Sequence, residues 1–293
     1  MSDVLLAGNI GLLGPEVVDQ LVEEHRLVVA HAAQQAELPV ACDKRTRAYE
    51  VAADHEGLAR LFDIYSFEAV VYASGFADAG AGLPDEQDLL CAVLHAACDA
   101  CVGKFVYLTG FIPAPDELGS DRLLRNDAFP GLSSQAILLA GQQQELCERL
   151  LEPSDTALVT IRLPFVAQAQ APGTFLASVF GRIADGEGAR LPFAAGASAD
   201  FLSMRDLGAL LCHVVEEPND EGGTFEAASG YARTWGDLAA ALSTLAKGGK
   251  DGAGDAARVA CADAFEAVPA PLTLAYPVRL RKTYGWIPFD DVF

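Results

Sequence analysis

Residues 4–24 read VLLAGNIGLLGPEVVDQLVEE, and this stretch decides the fold. Its first four residues are apolar and suit a short strand. Gly8, Gly11 and Gly14 follow at even spacing. A helical pattern then runs over residues 15–24, with Val17, Val18, Leu21 and Val22 on one face. Pro15 stands where the first turn of a helix tolerates proline. Strand, glycine turn and helix in that order make a place for a pyrophosphate. The first glycine lets the chain turn sharply, the second lets backbone approach the phosphates, and the third lets helix and strand pack closely. The helix N-terminus adds free amide donors. The same glycines would also serve a tight β–α turn with no ligand.

Outward from this unit, apolar runs alternate with helical patterns. Residues 27–30, 69–73, 105–108 and 158–163 read as strands; residues 57–62, 89–101 and 134–151 carry helical periodicity. The strands look buried on both faces, as a parallel sheet covered by helices requires. The expected class is α/β, a doubly wound parallel sheet of Rossmann type with a small C-terminal substrate lobe. The pattern loosens after Pro164. Pro172-Gly173 and residues 186–188 mark turns, 206–217 and 235–247 are helical, 224–227 is a short strand, and 248–254 (GGKDGAG) reads as a surface loop. The expected division is a dinucleotide-binding domain over residues 1–165, with a returning segment near 200–228, and a small lobe from 166–199 and 229–293.

The chain has 293 residues, half of them apolar, which suits a sizeable core. It carries 20 Lys and Arg against 41 Asp and Glu, a formal charge of -21. Such a field repels phosphate backbones and anionic lipid, so no nucleic-acid and no membrane partner is expected. It does not oppose a phosphorylated cofactor, because helix N-termini hold phosphate locally. The first residues show no basic region and no small-residue cleavage site, and no apolar run reaches membrane-spanning length. Seven cysteines, an odd number within apolar stretches, read as reduced thiols of a cytoplasmic protein.

The GxxGxxG spacing resembles that of the extended short-chain dehydrogenase/reductase family, which includes nucleotide-sugar epimerases, dehydratases and reductases. Further segments are similar in the same order: residues 49–62 (YEVAADHEGLARLF), 69–75 (AVVYASG), 104–110 (KFVYLTG), 161–166 (IRLPFV), 200–211 (DFLSMRDLGALL) and 284–288 (YGWIP). The resemblance implies NAD or NADP as cofactor. It would be held by Gly8, Asn9, Ile10, Gly11, Leu12 and Gly14 at the pyrophosphate, by His31 after the second strand, and by Asp54 and His55 at the adenine. Ala73, Ser74 and Gly75 would lie beside the nicotinamide ribose, with Pro164 after the sixth strand. It also implies a small-molecule ligand such as a nucleotide sugar, and a homodimer formed through the helices at 89–101 and 134–151.

The chain departs from that family where the chemistry lies. The family uses a Tyr-x-x-x-Lys pair, the phenol as acid and base and the lysine to lower its pKa and hold the ribose. Here the helix reads LSSQAILLAGQQQELCERL. One alignment sets Ser134 and Leu138 at the two positions, and a shift of three sets Ile137 and Gly141 there. No Tyr or Lys occurs between Tyr107 and Phe225. Thr109 and Ser134 remain as candidate catalytic hydroxyls, though a serine hydroxyl has no useful acidity near neutral pH. The second strand also ends without the usual carboxylate for the adenosine ribose. Asp43, Lys44, Arg45 and Arg47 follow, and the basic three suit either a 2′-phosphate or a solvated loop.

Cys91, His95, Cys98 and Cys101 form C-x3-H-x2-C-x2-C. Four ligands on one continuous helix splay poorly around a tetrahedral ion, so these cysteines read as small core residues and no metal is expected. Two functions from different classes follow. One is an epimerase-, dehydratase- or reductase-like enzyme with a non-standard acid/base. The other is a non-catalytic dinucleotide-binding sensor or regulatory subunit.

Overall fold

The structure is a computed structural model, described over residues 2–10, 13–31, 45–51, 55–74, 83–110, 134–167, 179, 181–183, 185, 188–218, 221–230, 233–247, 259–262 and 277–289. The chain opens with β1 (Asp3–Gly8), α1 (Gly14–Glu24), β2 (Arg26–His31), β3 (Thr46–Glu50) and α2 (His55–Ile64). It continues through β4 (Phe67–Ala73), α3 (Leu83–Asp99), β5 (Lys104–Thr109), α4 (Ser134–Leu151) and β6 (Ala157–Arg162). The large sheet has seven strands in the order β11-β6-β5-β4-β1-β2-β3, where β11 is Gly223–Glu226. Every pairing in it is parallel. The strand order reverses between β1 and β4, the switch point at whose carboxyl end doubly wound sheets commonly take a ligand.

β1 and β5 are buried at all six positions. Side chains alternate between two apolar layers: Val4 and Leu6 lie on one face with α1, Leu5 and Ala7 on the other with α3. The first layer is closed by α5 (Met204–Glu216), which packs against α1. The Gln20 side chain of α1 lies over Gly208, where a Cβ would sit 2.6 Å from its movable Nε2 end. α5 is anchored at both ends. Ser203 Oγ accepts from Asp206 N at its start. At its other end the buried Lys104 Nζ donates to the carbonyls of Val214 and Glu217, both at 2.6 Å. The C-terminal segment is tied to the first turn of α5 by Trp286 Nε1, which donates to Asp206 O, and by Phe289 N, which donates to Asp206 Oδ1. Tyr284, the last residue of α7 (Val278–Tyr284), lies in the same layer.

A third apolar cluster gathers Leu191 and Phe193 of β8 (Ala189–Ala194), Phe201 of β10 (Phe201–Ser203), Val259 of β13 (Val259–Ala262) and residues of α6 (Trp235–Lys247). Trp235 is fully buried and stacks on Phe193 at 4.2 Å between centroids. Short pairings accompany it: β10 with β7 (Phe165–Ala167), β13 with β8, and β9 (Ser198–Ala199) with β12 (Arg233–Thr234).

Several expectations need correction. Residues 46–50 form the edge strand β3, which was not expected, because the polar sequence TRAYE carries no alternation that marks an edge strand. α3 starts at Leu83, six residues before the expected start, and ends at Asp99, so Cys101 lies beyond it with φ 53°. His95 and Cys101 are exposed, while Cys91 and Cys98 are half-buried against the second apolar layer. The four therefore do not share one buried face. Among the described residues no group of three or more His, Cys, Asp or Glu side chains is arranged to hold a metal ion. No helix among them is long and apolar enough to cross a membrane. Residues 172–173 and 248–254 lie outside the described residues.

Candidate functional site

The carboxyl edge of the sheet collects most of the residues singled out above. Gly8 ends β1 with φ 87°, and a Cβ there would lie 2.2 Å from Ala73 O on β4. This glycine is required by the close approach of β1 to β4 as well as by the turn. Asn9 N donates to Ala73 O at 2.7 Å, so that amide is already engaged. Ile10 is buried, and Leu13 N closes a turn on Ile10 O. Gly14, φ 59°, opens α1 with proline directly behind it, and no side chain caps this N-terminus. A helix start of this kind leaves backbone donors that must find partners. Gly11 and Leu12 lie outside the described residues.

His31 ends β2, and in register beside it on β3 stands Glu50, an exposed carboxylate at the carboxyl edge. β2 and β3 run parallel, so Arg47 and Arg45 fall toward the opposite, amino-terminal end of the sheet, roughly 10 Å or more along the strand from Glu50. Arg45 Nη1 donates to Glu23 O there. The 2′-phosphate reading of Arg45 and Arg47 is therefore wrong; Asp43 and Lys44 lie outside the described residues. So do Asp54, Gly75 and the side chain of His55, which opens α2.

Beside the switch point, Ala73 ends β4 and Ser74 follows it, both buried. Ser74 and Thr109 lie on the face of the sheet that α4 covers, as do Tyr107 and Arg162. The alternation follows from Tyr72 and Tyr107 lying in the second layer and Ala73, Leu108 and Ile161 in the first. Thr109 and Arg162 are register partners. α4 meets this edge with two consecutive glutamines. Gln143 Oε1 accepts from Ser74 Oγ at 2.7 Å and from Tyr107 OH at 3.0 Å. Gln144 Oε1 accepts from Arg162 Nη2 at 3.2 Å. Three buried polar atoms of this layer, Thr109 Oγ1, Gln143 Nε2 and Arg162 Nε, have no hydrogen-bond partner among the described residues. A buried donor left unmade costs ~1–3 kcal/mol. Sequence reasoning missed Gln143, Gln144 and Tyr107, because glutamines in a helix carry no local signal; their role comes from the strands they reach.

Ser134 is the first residue of α4, and its side chain lies outside the described residues. Leu138, at the aligned lysine position, is 57% exposed. Gly141, from the alternative alignment, has open space where a Cβ would stand. Pro164 is buried between β6 and β7. Farther off, Asp200 is buried, with its carboxyl pushed above the usual range by desolvation; its Oδ1 accepts from Ser229 N at 3.0 Å.

No family model matches the chain, and no curated protein matches it. Solved structures do. The enzyme WbmH of Bordetella bronchiseptica in complex with NAD+ is 21% identical, with 99% of this chain and 94% of that chain covered and a TM-score of 0.72. WbmG of the same organism, in complex with NAD and UDP, is 19% identical over 98% of this chain and 90% of that chain, with a TM-score of 0.71. UDP-glucose 4-epimerase of Thermotoga maritima with UDP-glucose is 16% identical over 99% and 94%, also with a TM-score of 0.71. At these identities the likeness shows the fold, a Rossmann-type α/β architecture.

Proposed function

We propose that this protein binds a nicotinamide dinucleotide across the crevice between β1 and β4, and beside it a nucleotide sugar or similar polar molecule. The observation that carries this reading is the start of α1. A helix N-terminus without a side-chain cap follows directly on the glycine turn of β1, at the point where strand order reverses. In support, similar folds were solved with NAD and with UDP or UDP-glucose. Bound there, the dinucleotide supplies hydride chemistry. Gly8 to Gly14 would hold its pyrophosphate and Ser74 would face its nicotinamide ribose. NAD fits better than NADP, because His31 and Glu50 stand at the adenosine side while Arg45 and Arg47 lie at the far end of the sheet.

The missing Tyr-x-x-x-Lys pair favours a binding role, as sensor or regulatory subunit, over the family's ordinary acid/base chemistry. A second reading, catalysis by other groups, draws on the unpartnered donors of Thr109, Gln143 and Arg162. The test of the binding reading is titration with NAD(H) and NADP(H) while thermal stability is followed. A ligand that binds only the folded state raises the apparent midpoint by mass action. The expected result is a rise with NAD(H), a smaller one with NADP(H), and loss of both in Gly11→Val. No rise with any of the four would end the proposal.

A further inference from the structure

The polar layer between α4 and the carboxyl ends of β4, β5 and β6 leaves several of its donors unmet. Thr109 is fully buried and Gln143 is 2% exposed, and neither Thr109 Oγ1 nor Gln143 Nε2 has a partner among the described residues. The two hydroxyls of Ser74 and Tyr107 both donate to Gln143 Oε1, which turns the amide nitrogen away from them. Arg162, register partner of Thr109, is held through Nη2 by Gln144, and its buried Nε is also without a partner. Glu226, its register partner on the other side, is exposed. No carboxylate among the described residues lies within ion-pair distance of the Arg162 guanidinium. Consecutive residues of one helix thus fix donors from adjacent strands in one layer, and one of those donors carries a permanent positive charge. Buried polar atoms are almost always hydrogen-bonded in native proteins, so several unmet donors in one layer call for an acceptor. A hydroxyl, an amide N–H and a guanidinium N–H together suit an anionic oxygen.

We propose that Thr109, Gln143 and Arg162 receive a carboxylate of the bound ligand, so that the polar molecule taken beside the dinucleotide is a sugar acid. This rests on the reading of the cleft as a nucleotide-sugar site, and it names the substrate class that the cleft selects. The carboxylate oxygens accept from the three donors, and no covalent step is involved.

The test compares UDP-glucuronate with UDP-glucose, which differ in a carboxylate against a hydroxymethyl, by calorimetric titration of the full chain in saturating NAD+. The expected preference for the acid is about tenfold or more, as for a charge-assisted contact. It should vanish in Arg162→Leu and in the near-isosteric Gln143→Glu, which sets a like charge against the carboxylate. Equal affinity for the two nucleotides, or a preference unchanged in both variants, overturns the proposal. Free glucuronate and glucose make a separate arm. If neither nucleotide binds but glucuronate raises the thermal midpoint of the unaltered protein and not of Arg162→Leu, the nucleotide reading fails and the carboxylate pocket stands. If neither nucleotide binds and glucuronate has no effect, the pocket fails too. A further readout needs no ligand. Thr109→Val removes only the hydroxyl, and the ligand-free midpoint should be unchanged or higher. A lower midpoint would show that the hydroxyl serves the fold, and would overturn its place in the pocket.

Discussion

At Gly8 two demands meet. Its φ of 87° lies in the left-handed region, and the missing Cβ leaves room for Ala73 O. Gly8→Ala is therefore expected to destabilise the protein by about 2 kcal/mol or more, read from urea unfolding. Gly11→Val should act on dinucleotide binding instead, so the two glycines separate fold from ligand. An unchanged unfolding midpoint in Gly8→Ala would show that β1 and β4 have freedom to part. His25 makes a second residue-level case. It is 4% exposed, Ser2 Oγ lies 2.8 Å from its Nδ1, and burial lowers its pKa below 6.5, outweighing the nearby Glu216 carboxylate. The native state thus keeps His25 neutral while the unfolded chain takes up a proton near pH 6.5. Stability from this residue is full above that pH and declines as pH falls through 6.5 toward the lower folded value. His25→Gln should remove that part of the slope when unfolding free energies are compared between pH 5 and 8. Identical pH profiles for the two proteins would show that His25 contributes nothing.

Elements were legible in proportion to their burial. α4 and α6 fall on the boundaries that helical periodicity predicts, Ser134–Leu151 and Trp235–Lys247, and the five central strands were each found to within two residues. Two buried faces impose a nearly continuous apolar run, and such runs are easy to read. β3 was not legible, because this edge strand carries only Ala48 and Tyr49 as apolar residues, one packed on each layer, among polar Thr46, Arg47 and Glu50. That omission also misplaced Arg45 and Arg47, whose distance from the cofactor end follows only from the β2–β3 register. The glycine loop was readable from spacing alone. The donor layer was not, since Tyr107, Thr109, Gln143 and Arg162 stand 33 to 88 positions after Ser74, and only the parallel register and the packing of α4 unite them. The ends of α5 give an element-scale prediction. Lys104 reaches across from the start of β5 to hold two terminal carbonyls of that helix. Lys104→Met keeps the stem and drops the donors, and it should cost about 2 kcal/mol, the range of hydrogen bonds to a charged group. Loss of that size in denaturant unfolding, with the far-ultraviolet helix signal retained, is the expected result.

For the whole molecule, the question is whether the candidate site could run the acid/base chemistry that the proposed dinucleotide would require. Oxidising an alcohol with a nicotinamide needs a base to take the hydroxyl proton as hydride leaves, and reducing a ketone needs the reverse. A positioned group of suitable pKa contributes about 10²- to 10⁴-fold. Among the described residues, Ser74, Tyr107, Thr109 and Arg162 stand on the α4-facing side of the carboxyl edge, and none of these four fits that role. Serine and threonine hydroxyls do not ionise near neutrality, and a guanidinium does not give up its proton. Tyr107 is wholly buried with its hydroxyl donated to Gln143. The aligned positions on α4 hold Ser134 and an exposed Leu138. Donors without an acid or base can hold and polarise an oxygen but cannot move its proton. Epimerisation through a transient keto-sugar would meet the same deficit, because that route needs the same kind of base. Turnover of nucleotide sugars and simple carbonyls is therefore expected to fall well below the ~1 s⁻¹ at which ordinary enzymes begin. Reduced-nicotinamide absorbance and product analysis, run on UDP-glucose, UDP-glucuronate and a set of small ketones with NAD+ or NADH, provide the measurement. A rate of about 1 s⁻¹ on any of them would refute the expectation and require a base from another part of the chain, with Asp200, whose burial already favours the protonated form, the first residue to replace by Asn.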